Sequence, residues 1–333
     1  MGKRLIKKME PEKLKEKLKG VFVAVATPFN EKDELDEEAL RYNLEFLVEK
    51  GKGRPLSLIV AGSTGEFYTL SEEEYKRLIK IAVDKVNGKL ILIAGTGQAG
   101  TKNALEMSKY AEDAGVDGVM VVLPYYHVPT EDGMYLHFKT IAEGINIGML
   151  VYNNPDTTKT YINPWLMNKI AEIKNIVGVK ENGHDLMAIY WMMKIVGKKI
   201  PVLCGLGELW FLVESTLGCS GFISALANYA PEISLKLYES INKGDFEQAR
   251  AIINKLEPLF DFDRKIAASH GPSTTILPMG FASSYMWIGV MKEAMNIIGL
   301  KGGKPRLPLL SLTNDEKKEL KIVLEKIGVT KLS

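Results

Sequence analysis

Eight short aliphatic or β-branched runs recur along the chain: Val21–Ala26, Leu56–Ala61, Leu90–Ala94, Gly118–Leu123, Ile147–Tyr152, Ile176–Lys180, Ile200–Cys204 and Gly218–Ser224. They are nearly unbroken in hydrophobicity, the pattern of parallel strands buried on both faces. Most intervals hold an amphipathic stretch of helix length: Asp36–Glu49, Ser71–Val86, Lys102–Ala114, Asp132–Glu143, Asn163–Ile173, Asp185–Val196 and Leu209–Leu217. Ser71 and Glu74 have the spacing of a capping box. Strand starts recur at roughly the 30-residue length of a βαβ unit, with only the last interval tighter. The pattern predicts an α/β fold, a closed (β/α)8 TIM barrel over residues 20–230, with a doubly wound open sheet as its competitor. After Ala230 the strand signal ends. Pro231–Asn242, Asp245–Ala268, Ser283–Gly299 and Asn314–Ile327 read as helices, so residues 231–333 are expected to form a small C-terminal helical domain. Residues 1–19 form a charged extension in which Leu14 and Leu18, at i,i+4, suggest a short peripheral helix.

Composition narrows the partners. The 333 residues carry 43 Lys and Arg against 41 Asp and Glu, a balance that gives no support for nucleic acid or an anionic membrane. No apolar run approaches the roughly 18 residues of a spanning helix, and the lysine-rich start lacks the apolar core of a secretory signal. Cys204 and Cys219 make no disulfide framework, so inert buried thiols and a cytoplasmic location are expected. His127, His137, His184 and His270 show no pairing at metal-ligand spacing and read as surface or loop residues; no metal is expected.

In a barrel, catalytic groups gather at the carboxyl ends of the strands. Three such ends carry candidate chemistry. Lys180 closes the sixth run; an apolar wall would lower its pKa and free a neutral amine able to form an imine with a ketone. The bland alternative is a lysine snorkelling to solvent. Tyr152 closes the fifth run, where its phenol could move protons or simply be a half-buried barrel tyrosine. Gly62-Ser-Thr-Gly-Glu66 follows the second run; its backbone N–H groups and hydroxyls would suit a carboxylate or phosphate, though a plain βα turn would look similar. Together, an anion nest, a phenol and a buried amine describe an imine site for a 2-oxo acid. Gly95-Thr-Gly-Gln-Ala-Gly100 matches the dinucleotide fingerprint, but the following strand ends in Pro124-Tyr-Tyr126 rather than the acid a ribose needs, and a Rossmann reading is rejected.

Gly62-Ser-Thr-Gly-Glu66, Pro124-Tyr-Tyr126, Tyr152-Asn-x-Pro155 and Gly178-Val-Lys-Glu181 resemble, in order and spacing, the dihydrodipicolinate synthase/N-acetylneuraminate lyase family. The resemblance runs from about Gly20 to Ile327, and Gly95-Thr-Gly matches a recurrent loop of the family. It implies a tetramer built as a dimer of dimers. It implies Lys180 as the imine lysine, Tyr152 as the proton-transfer group, and Ser63 with Thr64 as the carboxylate site. Tyr126 would reach across a dimer interface to form a relay with Ser63 and Tyr152, while Gly205 and Ile223 match pocket positions. Departures concern the aldehyde partner. The synthase branch has an arginine where this chain has Thr157, after Asp156, and an Asp/Thr pair cannot make its bidentate clamp. The Asn-Pro-x-Pro stretch of that branch is also missing near Ser283–Met286. Glu208 and Ser224 match hydroxyl contacts of the lyase branch, Asn182 stands where lyases often have threonine, Gly207 replaces an acid, and His184 replaces a small residue.

The expected activity is a class I aldolase acting on a 2-keto-3-deoxy sugar acid or similar 4-hydroxy-2-oxo acid, using pyruvate and an aldehyde and no cofactor beyond the lysine imine. Two enzymes sharing these residues are the alternatives: the synthase condensing pyruvate with aspartate semialdehyde, and a keto-deoxy sugar acid dehydratase. A 2-oxo-acid-binding regulator is the non-enzyme alternative.

Overall fold

The computed structural model describes residues 9–270 and 286–332. Helix α1 (Pro11–Lys17) leads into β1 (Gly20–Ala24), followed by α2 (Glu37–Gly51), β2 (Leu56–Val60), α3 (Glu72–Val86), β3 (Ile91–Gly95), α4 (Thr101–Ala114) and β4 (Gly118–Val122). Next come α5 (Glu131–Glu143), β5 (Gly148–Asn153), α6 (Pro155–Thr158), α7 (Pro164–Ile170), β6 (Ile176–Glu181), α8 (Leu186–Ile195), β7 (Val202–Cys204), α9 (Glu208–Glu214) and β8 (Gly221–Ser224). All pairings are parallel, and β8 returns to β1, so the sheet is a closed eight-stranded barrel. The open-sheet alternative and the dinucleotide reading both fall with that closure.

The strands form because their residues are buried on both sides. Phe22, Ile59, Ile93, Met120, Leu150, Leu203 and Ile223 fill the barrel interior. Val21, Val23, Leu58, Val119, Val151 and Val179 face the surrounding helices. Caps fix the helix starts: Ser71 and Glu74 form the expected capping box on α3, and Asp36 caps α2 through the Ala39 N–H.

The extension is not peripheral. Leu14 and Leu18 are fully buried in the interior cluster at the base of the barrel. Strand glycines make the room: a Cβ at Gly118 would lie 2.4 Å from Leu14 Cδ2, one at Gly148 3.0 Å from the same atom, and one at Gly178 2.6 Å from Leu18 Cδ1. Helix α1 and its C-cap residue Leu18 therefore supply two side chains that the strands themselves omit.

Between β5 and β6 the register slips. Met149 pairs with Ile176 but Leu150 pairs with Gly178, leaving Val177 as an extra residue; beyond it Tyr152 stands directly opposite Lys180.

Helix α10 (Pro231–Asn242) packs on β1, α2 and α9 and takes the place of the eighth barrel helix, so the ring extends past residue 230. Helices α11 (Phe246–Lys255), α12 (Glu257–His270), α13 (Met286–Ile298) and α14 (Asn314–Lys326) follow. The expected single helix Asp245–Ala268 is two helices, broken at Leu256. Pro258, in the first turn of α12, has no N–H to continue the earlier helix. The expected helix start at Ser283 lies outside the described residues. No helix among the described residues is long and apolar enough to cross a membrane.

Candidate active site

The carboxyl ends of the strands open into a cavity of about 390 Å³. Of the residues singled out in the sequence, Ser63, Thr64, Tyr152, Thr157, Lys180, Gly205, Glu208 and Ile223 line it, and α13 roofs it with Trp287, Val290 and Met291. A wider groove of about 730 Å³ between α12 and α14 is edged by exposed charged side chains and lies apart from these groups.

Lys180 does not snorkel. It is 5% exposed, and its Nζ sits 3.7 Å from the centroid of the Tyr152 ring. Burial pulls its pKa down to about 7, the Cys204 thiol opposing slightly. The ring face favours an ammonium, but loss of water is the larger effect, so much of the amine is neutral near pH 7.

Tyr152 is buried as well, and burial pushes its phenol up to about 12 despite hydrogen bonds to the side chains of Ser63 and Asn154. Asn154 Nδ2 donates to the phenol oxygen over 2.7 Å. Asn154 also caps α6 through the Asp156 N–H, so the Tyr-Asn-x-Pro turn and the phenol's orientation are fixed by one side chain.

The Gly62–Glu66 turn closes on itself through Glu66 N–H to Ser63 O (3.0 Å) and Phe67 N–H to Gly62 O (3.3 Å). Thr27 Oγ1 holds it from the barrel side by donating to Gly65 O over 2.7 Å. Ser63 and Thr64 are thereby placed on the cavity wall opposite β6.

Three expected residues behave differently. Ser224 is fully buried behind β8, where its hydroxyl donates to Glu208 Oε1; it does not line the cavity. Strand alternation explains this: with Ile223 facing inward, Ser224 must face out. Glu208 lines the cavity, but its Oε1 is also taken by Ser234 on α10. Tyr126 is 73% exposed and outside the cavity of its own chain. One histidine also departs from the surface-or-loop reading: His137 is buried in α5 and bonded to Thr101 (2.9 Å). His184 lies in the loop after β6, where it lines the cavity with its Nε2 3.1 Å from Asp156 Oδ2.

Asp156 Oδ1, Thr157 Oγ1, Asn182 Oδ1 and Asp263 Oδ1 are buried without hydrogen-bond partners among the described residues, and all four side chains border the cavity; of these, Asp263 escaped the sequence reading, as did the role of Glu181. Burial pushes the Asp263 carboxyl up to about 7. Behind β6, Glu181 is fully buried, and loss of water pushes its carboxyl up to about 8. It accepts from the Gly183 N–H (2.6 Å) and from Asn153 (2.9 Å), anchoring the strand end that carries Lys180. The acid next to the lysine in the sequence was the available signal. Lys180 and His184 are the only basic side chains on the cavity among the described residues, and residues 271–285 contain no lysine or arginine. Among the described residues no three His, Cys, Asp or Glu side chains converge as a metal site would require.

The Dihydrodipicolinate synthetase family model matches residues 17–327. A 4-hydroxy-tetrahydrodipicolinate synthase from Methanopyrus kandleri is 36% identical over 314 residues, 94% of this chain and 97% of the relative. One from Methanocaldococcus jannaschii is 37% identical over 93% of this chain and 99% of its own. Among solved structures, dihydrodipicolinate synthase from Aquifex aeolicus superposes with a TM-score of 0.82 at 33% identity, covering 95% of this chain and 100% of that one. A prophage protein of the same family from E. coli K12, in complex with pyruvate, gives 0.81 at 26% identity over 94% and 99%. These relatives support an enzyme rather than a regulator. Their names favour the synthase expectation over the keto-deoxy sugar acid aldolase. The barrel, its buried amine and a match spanning nearly every residue agree: this chain belongs to the dihydrodipicolinate synthetase family of carbon–carbon lyases and synthases.

Proposed function

We propose that the protein makes or breaks the bond between a pyruvate unit and an aldehyde through an imine at Lys180. The observation that carries this reading is the buried, partly neutral amine facing Tyr152, with the Ser63–Thr64 turn on the opposite wall. The keto acid's carboxylate is held by the turn, and Lys180 Nζ attacks C2 with loss of water. In the cleavage direction the C4 hydroxyl gives its proton to the Tyr152 oxygen as the phenol passes its own proton along its hydrogen bond to Ser63 and into the relay, and the C3–C4 pair flows into the protonated imine. An aldehyde leaves, and the enamine is protonated and hydrolysed to pyruvate. In the addition direction the enamine carbon attacks the aldehyde. The phenol, held protonated by its raised pKa, then supplies the proton to the developing alkoxide.

For the aldehyde, the cavity favours a neutral, hydroxylated partner, as in a 2-keto-3-deoxy sugar acid. Its unpartnered groups around Asp156, Thr157 and Asn182 are mostly acceptors that would take hydroxyl donors, and position 157 offers a carboxylate no cation. The second reading, condensation of pyruvate with aspartate semialdehyde, is favoured by the names of relatives at 36% and 37% identity. Incubating the enzyme with pyruvate and a panel of aldehydes, followed by product analysis, separates them. Adducts of hydroxyaldehydes, with none from aspartate semialdehyde, are expected. A cyclised product from the semialdehyde would establish the synthase, and water elimination from a keto-deoxy acid the dehydratase.

The pH dependence follows from the amine. Only neutral Lys180 attacks, and its pKa lies below the ordinary lysine value at about 7. The kcat/KM for pyruvate should therefore rise about tenfold per pH unit below 7 and level off above it. A profile still climbing at pH 9 would show that burial does not set this amine's reactivity.

Tyr126 completes the relay in a second copy of the chain, a role supported by its exposure and by the resemblance. Lys180→Arg and Tyr126→Phe chains, each inactive alone, should regain activity when mixed and reassociated. Continued inactivity of the mixed assembly would remove the exchange of tyrosines. The surroundings of this activity are read as the cytoplasm, in keeping with two buried free thiols.

A further inference from the structure

Behind the Gly62–Glu66 turn lies an ionic link that the imine chemistry does not use. Glu66 and Lys292 are both fully buried, and Glu66 Oε1 is in ion-pair contact with Lys292 Nζ of α13. Lys292 Nζ also donates to Lys304 O over 2.9 Å and stands 4.5 Å from the centroid of the Phe29 ring. The other carboxylate oxygen of Glu66 accepts the Arg306 N–H over 2.8 Å. The Arg306 guanidinium reaches Thr69 O and Glu74, tying the same C-terminal segment to the start of α3. The turn is thus held from behind by residues more than two hundred positions away.

Backbone strain gives the link its purpose. Ala61 and Glu66, at the two ends of the turn, have φ of 52° and 53°, a left-handed conformation that side chains other than glycine adopt only when their surroundings impose it. Ser63 and Thr64 lie between these strained residues. An untethered Glu66 would relax towards a right-handed or extended geometry and turn the Ser63 and Thr64 groups away from the cavity. The same helix that carries Lys292 presents Trp287, Val290 and Met291 to that cavity, so one element sets both the roof and the carboxylate seat.

We propose that the Glu66–Lys292 pair is a positioning pair for keto-acid binding, locking the Gly62–Glu66 turn in its carboxylate-binding geometry through the C-terminal helices. This rests on the imine reading of Lys180, and the test keeps the two apart. Borohydride trapping of full-length enzyme over a range of pyruvate concentrations yields a half-saturating concentration and a maximum trapping rate without any aldehyde. Lys292→Met strands a buried carboxylate and is at risk of misfolding, so the decisive variant is Glu66→Gln with Lys292→Met, which removes both charges. The double variant should raise half-saturation by about tenfold or more while leaving the maximum rate within about threefold of wild type. A folded double variant with unchanged half-saturation, whatever its melting temperature, would show the pair to be scaffold only and overturn the proposal. Failure of the wild type itself to be trapped would instead overturn the imine reading.

Discussion

Lys180→Arg is expected to abolish turnover, with kcat/KM down by at least about 10⁴-fold and no adduct after borohydride treatment with pyruvate. The reason is chemical rather than steric. Attack on a ketone requires a nitrogen lone pair, and guanidinium does not deprotonate in a protein. Wild-type lysine reaches the reactive state because burial brings it to about 7, within reach of neutral pH. The substitution keeps a cation and a long stem, so it separates loss of the nucleophile from loss of a charge. Mass spectrometry of the trapped wild type should place one reduced pyruvate unit on Lys180. An active arginine variant, or an adduct on another lysine, would be incompatible with the mechanism.

Tyr152→Phe should lower turnover by about 10²–10⁴-fold, the usual worth of a positioned proton-transfer group. It should still trap pyruvate on Lys180, because the amine and the Ser63–Thr64 seat remain. The phenol is held by Asn154 at 2.7 Å and bonded to Ser63, so removing it leaves a buried donor unpaired. Some loss of stability, of about 1–3 kcal/mol, should accompany the kinetic effect. The two are distinguishable by assaying well below the melting temperature. Equal losses of trapping and turnover would assign Tyr152 to imine formation rather than to bond cleavage.

The barrel was legible because its strands are buried on both faces, leaving eight short apolar runs that alternate with helix-length amphipathic stretches. Boundaries shifted where backbone chemistry intervened. The expected run Ile200–Cys204 shortens to Val202–Cys204 after Pro201, which has no N–H for the ladder. The last strand begins only at Gly221, after a left-handed Gly218. Site residues that end a strand were legible for the same reason, since a strand end fixes where a side chain emerges. Groups defined by pairing across the chain were not. Asp156 meets His184, and Glu66 meets Lys292, only once the barrel has closed and the C-terminal helices have docked. The role of α1 was equally hidden: two leucines in a charged helix look weakly amphipathic until glycines in three strands are seen to leave space for them. Ser224 is the instructive error. A period-two strand cannot turn both Ile223 and Ser224 into the cavity, and that rule was available from the sequence.

The slip between β5 and β6 decides more than a pairing. Counting alternately from Ile176, which faces the helices, would send Val179 into the barrel and aim Lys180 outward at the helical layer. Val177 and Gly178 both turn inward instead, which inverts the parity of every later residue in the strand and delivers the amine to the lumen. The nucleophile's address is therefore written in the main chain upstream of it. Side-chain substitutions leave that parity intact, whereas inserting or deleting one residue in this short stretch would exchange a reactive nitrogen for a hydrocarbon wall.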